Sequence, residues 1–154
     1  MKICDLIAPD GVIVNLRATS KKQALQELSR VAAKVSGEHE RSIFEVLMER
    51  EGLGTTGIGN AIAIPHGKLA SLNQLYGVFA RLETPVDFHS IDDQPVDIIF
   101  LLLAPEEAGA DHLKALAQVS RLLRDKITCE KLRGTDTTEA LYAILSESIE
   151  NRAA

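Results

Sequence analysis

One stretch near the middle of the chain, Val96 to Leu103 (VDIIFLLL), constrains the fold more than any other. Apart from Asp97 it is apolar without alternation, so a strand made from it has no face to turn to water. Such a strand needs helices above and below its sheet, which makes the chain an α/β protein with one sheet between helical layers. At 154 residues it fits a single domain with room for one substantial core.

The rest of the chain supplies matching parts. Val12 to Leu16 follows the turn signal Pro9-Asp10-Gly11 and reads as the first strand. Ser20 with Gln23 three residues on forms a capping-box pattern, after which Leu25, Leu28, Val31, Ala32 and Val35 recur at helical spacing until Gly37. A second helix is expected over about residues 40–51, with Ile43, Val46 and Leu47 on its apolar stripe, Arg50 in its last turn, and Gly52 and Gly54 ending it. Tyr76 to Leu82 reads as another strand. Pro105 to Ala110 reads as a loop, Asp111 to Asp125 as an amphipathic helix, and Thr128 to Arg133 as a short piece stopped by Gly134. Asp136 with Glu139 opens a final helix carrying Leu141, Ile144, Leu145 and Ile149. No internal repeat, linker or low-complexity segment interrupts this order.

Composition narrows the function classes. No apolar run approaches the roughly 20 residues of a membrane helix, and the N-terminus MKICDLIAPDG lacks the pattern of a secretion signal, so a soluble cytoplasmic protein is expected. A net charge of −5, no tryptophan and no basic run longer than Lys21-Lys22 argue against nucleic acid as a partner and suit a basic protein better. Cys4 and Cys129 form neither a CxxC pair nor a zinc-like spacing. Neither a disulfide framework nor a metal is indicated.

The segment most suggestive of chemistry is GIGNAIAIPHGK, Gly57 to Lys68. The short apolar run Ala61 to Ile64 suits a buried strand, and His66 follows it between Pro65, which fixes φ and lacks a donor, and Gly67, which permits conformations a side chain forbids. An imidazole aimed from a strand end sits where α/β folds put their ligand crevices, although a histidine beside an apolar run is as often a structural residue. His112 shares a helical face with Leu116, Val119 and Leu123, so it faces the sheet from the first turn of its helix, beside unpaired N–H groups that favour an anion. Its structural alternative is a histidine that caps or packs at the helix start. Arg50 leads into the glycine-rich turn before His66; it is either a solvated last-turn cation or a guanidinium fork for phosphate oxygens. Lys68 is a weaker, more exposed candidate, and His39 and His89 lie in polar surroundings. Gly52 to Gly57 matches GxGxxG literally, but a helix precedes it and a strand follows, the reverse of a dinucleotide fingerprint. No P-loop, GxSxG elbow or HExxH helix is present.

Together REGLGTTGIGNAIAIPHGK (Arg50 to Lys68) and DHLKALAQVSRLLRD (Asp111 to Asp125) resemble the IIA component of the bacterial phosphoenolpyruvate-dependent phosphotransferase system, mannitol/fructose class, above all its nitrogen-regulatory branch. The resemblance implies a single three-layer IIA-type domain over residues 1–154, with a central mixed sheet flanked by helices on both faces. It implies phosphotransferase chemistry through a phosphohistidine: His66 as acceptor, as a tele-phosphohistidine, His112 as the neighbouring phosphate-stabilising histidine, and Arg50 as a phosphate contact. No cofactor and no metal is implied. The implied partners are an HPr-like histidine phosphocarrier and an upstream enzyme I, with transporters and sensor kinases as candidate regulated proteins, and the implied state is a monomer or weak dimer. Control of nitrogen metabolism or potassium transport follows from the same resemblance. A sugar-specific fructose or mannitol IIA passing phosphate to a IIB domain is the alternative. Ala61 stands where the family often has glycine, a departure that stiffens the turn and removes no functional group.

Overall fold

In the computed structural model, which describes the backbone of residues 3–153 and the side chains of residues 5–147, the elements run as follows. They are α1 (Ile3–Leu6), β1 (Ile7–Leu16), α2 (Lys21–Ser36), α3 (Glu40–Gly52), β2 (Gly57–Gly59), β3 (Ile62–Ala63), β4 (His66–Leu69), β5 (Tyr76–Val86), β6 (Val96–Pro105), α4 (Ala110–Arg124), α5 (Lys126–Arg133) and α6 (Thr138–Ala153). The side chains of Cys4 and Ile149 lie outside the described residues, and α1 has no counterpart in the sequence expectations.

The apolar run occupies the interior position it demands. β6 pairs with antiparallel β5 on one side and with parallel β3 and β4 on the other, β1 adds parallel to β5, and β2 adds antiparallel to β3. The sheet is therefore mixed. Alternation along β6 sends Ile98, Phe100 and Leu102 into a core shared with Ala115, Val119 and Leu122 of α4, Leu132 of α5 and Leu141 of α6. Ile99, Leu101 and Leu103 face Ala24, Leu25 and Leu28 of α2 and Ile43 and Leu47 of α3. Each of these β6 side chains is at most 1% exposed, and full burial of a Leu, Ile or Phe is worth about 1.5–3 kcal/mol, so a charge at any of them strikes a helical layer.

Local chemistry sets the element ends. The Ser20 hydroxyl accepts from the Gln23 N–H at 3.1 Å and Gly37 closes α2 at φ 80°, as the capping pattern predicts. The Gln23 side chain reaches back one residue further than a standard box, to the Thr19 N–H at 2.7 Å. Three expectations need correction. Pro9-Asp10-Gly11 does not precede the first strand; it lies within β1 as an irregularity that β5 tolerates between Ile7 and Val12. α6 is capped by the Thr137 hydroxyl, which accepts from the Ala140 N–H, rather than by Asp136. The histidine segment is not one strand over residues 61–64 ending in a turn. It is two short strands, β3 and β4, that keep one register against β6 on either side of a gap at Ile64 and Pro65, and His66 begins the second. Proline causes the gap because it has no N–H for the ladder.

Gly67 is needed for room rather than for an unusual backbone. A Cβ there would sit 2.4 Å from Cγ1 of Val46 on α3, so the missing side chain lets α3 lie close against β4. The strained backbone is upstream, where Asn60 and Ala61 have φ 57° and 66°. Left-handed alanine costs about 1–2 kcal/mol, and glycine gives back roughly 0.4–1 kcal/mol of that in unfolded-state entropy. Ala61→Gly should therefore stabilise the protein by about 0.5–1 kcal/mol in denaturant unfolding. Destabilisation would mean that the alanine methyl contributes packing that outweighs the strain. No helix among the described residues is long and apolar enough to cross a membrane.

Candidate active site

Strand alternation decides where His66 points. Its register partner on β6 is Leu102, which faces α4, while the next pair, Gly67 and Leu103, faces α3. His66 therefore projects toward the helix whose first turn carries His112. The two rings meet edge to face with centroids 5.7 Å apart. His112 is 5% exposed and lies on the same buried side of α4 as Ala115 and Val119, as its helical spacing predicts. Arg50 arrives from the last turn of α3, on the other face of the sheet. Its Nε–H donates to Nε2 of His66 at 3.3 Å and its Nη1 to the Gly54 carbonyl at 2.9 Å. The three predicted residues come together.

Their hydrogen bonds fix the state of the His66 ring. Nδ1 lies 3.0 Å from the Ile64 carbonyl oxygen, which can only accept, and the Arg50 Nε–H can only donate. The proton therefore sits on Nδ1, and Nε2 keeps its lone pair, aimed at the guanidinium. Burial lowers the His66 pKa below its ordinary value of 6.5, the Ile64 hydrogen bond raises it in part, Arg50 lowers it and Glu51 raises it. Burial likewise lowers His112, with the charges of His66 and Lys68 acting in the same direction. Two neutral imidazoles near pH 7 result. The cluster is a nucleophilic nitrogen held against a fixed cation, with a second ring alongside. Gly109 precedes α4 with φ 52° and gives no side-chain cap, and of the first-turn N–H groups that of Asp111 donates to the Ala108 carbonyl at 3.1 Å.

Both folded-state pKa values lie below 6.5, so the unfolded chain takes up protons first as pH falls. These rings contribute stability that is full above pH 6.5 and is lost as pH drops from there through the folded values. NMR titration should give midpoints below 6.5 for His66 and His112, and unfolding free energy should decline with pH in that same window. A midpoint above 6.5 for either ring would contradict the geometry.

The other candidates separate from the cluster. Lys68 is exposed on β4, yet close enough for its charge to disfavour protonation of His112. His39 occupies the N-cap position of α3 without a side-chain cap bond, and His89 is exposed beside Asp87 at 4.0 Å. The GxGxxG match runs from the end of α3 to the start of β2, the helix-to-strand order that disqualifies it as a dinucleotide loop. Sequence reasoning passed over Glu51, next to Arg50, whose side chain is 4% exposed and paired with Lys21 at 2.7 Å. Its neighbour Arg50 was the only signal, because the cation that neutralises it, Lys21, belongs to another helix. Cys129 is a buried free thiol.

A family model described as "Phosphoenolpyruvate-dependent sugar phosphotransferase system, EIIA 2" matches residues 5–148. Among curated proteins, the chain is 56% identical over 146 residues to a nitrogen regulatory protein of Bradyrhizobium diazoefficiens, covering 95% of each. It is 45% identical over 130 residues to the nitrogen regulatory protein of Escherichia coli K12, covering 84% of this chain and 80% of that one. Among solved structures, nitrogen regulatory protein IIA-Ntr from Neisseria meningitidis superposes with a TM-score of 0.88 at 34% identity, covering 93% of this chain and 98% of that one.

Proposed function

We propose that this chain, which belongs to the EIIA 2 family of the phosphoenolpyruvate-dependent sugar phosphotransferase system, is a regulatory phosphocarrier working as one IIA-type domain in the cytoplasm. Nε2 of His66 receives a phosphoryl group from an HPr-like histidine phosphocarrier that enzyme I has loaded. The loaded and unloaded forms then engage different proteins, transporters or sensor kinases among them, and so report nitrogen and potassium status. The observation that carries this reading is the ring state of His66: the proton held on Nδ1 by the Ile64 carbonyl leaves the Nε2 lone pair toward Arg50.

The chemistry balances with these parts. The Nε2 lone pair attacks phosphorus, the new P–N bond forms as the donor's P–N bond breaks, and that electron pair returns to the donor imidazole. No general base is required, because a neutral ring attacks without losing a proton. As the product ring becomes positive, the Ile64 carbonyl stabilises its Nδ1–H. Arg50 and His112 meet the phosphoryl oxygens, with hydrogen bonds to charge worth about 1.5–3 kcal/mol each, enough to hold the group in line while leaving it transferable. Leu53 and Leu113, beside Arg50 and His112, are 83% and 69% exposed, apolar surface suited to a protein donor. Phosphorylation adds up to about two negative charges there, which changes what can dock. The nitrogen-regulatory names of the relatives favour the regulatory reading over sugar uptake.

The test is reconstitution. With phosphoenolpyruvate, enzyme I and the phosphocarrier, the chain should gain the mass of one acid-labile phosphoryl group, mapped to His66. No gain would remove the phosphocarrier reading, and a phosphate mapped elsewhere would remove His66 as acceptor. Rapid discharge to a fructose- or mannitol-specific IIB protein would replace the regulator with a sugar-uptake component.

A further inference from the structure

A buried carboxylate stands behind the His66 ring. Glu51, the last acidic residue of α3, accepts from the Thr56 N–H at 3.1 and 3.3 Å and from the Thr56 hydroxyl. Lys21 closes the other side: its Nζ is 2.7 Å from the carboxylate, donates to the Phe88 carbonyl at 3.4 Å and lies 4.9 Å from the centre of the Phe88 ring. A carboxylate this buried persists only when its oxygens are satisfied, so the arrangement holds Thr56 in one place. The Thr56 carbonyl in turn accepts from the Ile64 N–H at 3.0 Å. Ile64 sits between the paired residues of β3 and β4 with its own N–H and carbonyl directed to Thr56 and His66, while the next carbonyl, that of Pro65, accepts from the Leu102 N–H of β6 at 3.0 Å. The Ile64 carbonyl is the group that holds the proton on Nδ1 of His66.

We infer that Glu51 is a positioning residue for phosphoryl transfer: through Thr56 and Ile64 it sets the carbonyl that selects the His66 tautomer with Nε2 unprotonated. The inference rests on His66 being the acceptor. Without the anchor, the Ile64 peptide turns, Nδ1 loses its acceptor, and the ring populates the tautomer with its proton on Nε2. That nitrogen then has no lone pair for phosphorus, and its N–H points at the Arg50 guanidinium. A purely structural role would tie α3 to the following loop and leave the tautomer alone.

The ring nitrogens of the 15N-labelled full chain distinguish the two. Wild type should show a single neutral tautomer, protonated on Nδ1. Glu51→Gln, which keeps the shape but loses one acceptor and the charge, should show a mixture and accept phosphate about tenfold more slowly from the loaded phosphocarrier, the scale of one lost hydrogen bond. Because Glu51→Gln leaves the half-buried Lys21 without its carboxylate, the double variant Glu51→Gln/Lys21→Met, which leaves no charge of the pair unmatched, is measured with it. Thr56→Val, which removes one hydroxyl, should move tautomer and rate in the same direction by less, and Thr56→Ser should restore both. An unchanged single tautomer in the folded variants overturns the inference even if transfer slows, and so does a mixed tautomer with an unchanged rate. Failure of wild type to take phosphate on His66 would strike the phosphocarrier reading instead, while the tautomer spectra would still report whether Glu51 controls the ring.

Discussion

Alanine at position 66 should abolish phosphoryl acceptance outright while leaving unfolding free energy within about 1 kcal/mol of wild type. Loss is complete because the substitution deletes the accepting atom, whereas loss of a supporting contact only raises the barrier. The half-buried ring makes two side-chain hydrogen bonds, to Arg50 and the Ile64 carbonyl, and carries no share of the two main cores. The fold therefore has little invested in it. His112 cannot take over, although its ring is 5.7 Å away. Its Nε2 is sealed from solvent, so a donor protein has no line of approach to that nitrogen, and the Arg50 guanidinium is aimed at the His66 ring instead. His39 and His89 lie outside the cluster and lack a guanidinium aimed at a ring nitrogen. Intact mass of the variant after incubation with enzyme I and the loaded phosphocarrier decides the matter. Persistent acid-labile phosphate would move the acceptor to another residue.

The parts of this molecule that were legible in the sequence are those governed by short-range rules. VDIIFLLL announced a strand covered on both faces, and its side chains divide between the two helical layers. Ser20 and Gly37 marked both ends of α2, and the period of His112 with Val119 put that ring against the sheet. Arg50, His66 and His112 were nominated from residue type and neighbours, and the fold brings them within reach of one another. What the sequence hid depends on pairings that local rules do not contain. The role of Pro65 could be read as stiffness, but its effect is to interrupt a strand whose register β6 maintains, which is visible only once β6 lies alongside. Gly67 suggested backbone freedom, yet the reason for it is Val46 of a helix about twenty residues earlier. Glu51 carried no signal of its own because Lys21, which neutralises it, belongs to another helix. In each case a long-range contact assigns the residue a task different from its propensity.

Arg81 is the opposite case to His66, and Arg81→Leu should cost about 3–5 kcal/mol of stability without touching phosphoryl acceptance by the folded protein. Its side chain is 11% exposed, in a strand of apolar residues, which normally disfavours a cation. The fold resolves this by surrounding the guanidinium with carbonyls: Nε donates to Val14 at 3.1 Å, and Nη1 to Leu132 at 3.0 Å, Arg133 at 3.1 Å and Thr135. Two of these are the last carbonyls of α5, where the helix dipole favours positive charge. Asp136 adds little at 3.6 Å and 93% exposure. Leucine fills the volume but leaves four carbonyls without that donor and unpins the end of α5 and the turn after it from β1 and β5. Lysine should recover only part of the loss, since one ammonium cannot span β1 and α5 together as the fork does. Function is spared because of distance. Arg133, beside this anchor, pairs with Asp97 at the amino end of β6, whereas His66 pairs with Leu102, roughly 16 Å further along the strand at 3.3 Å per residue. Denaturant unfolding and phosphoryl acceptance, measured on the same sample, separate the two ends. A stability loss under about 1 kcal/mol would mean that water satisfies the carbonyls as well as arginine does. Impaired acceptance in fully folded protein would mean instead that the two ends of the sheet are coupled.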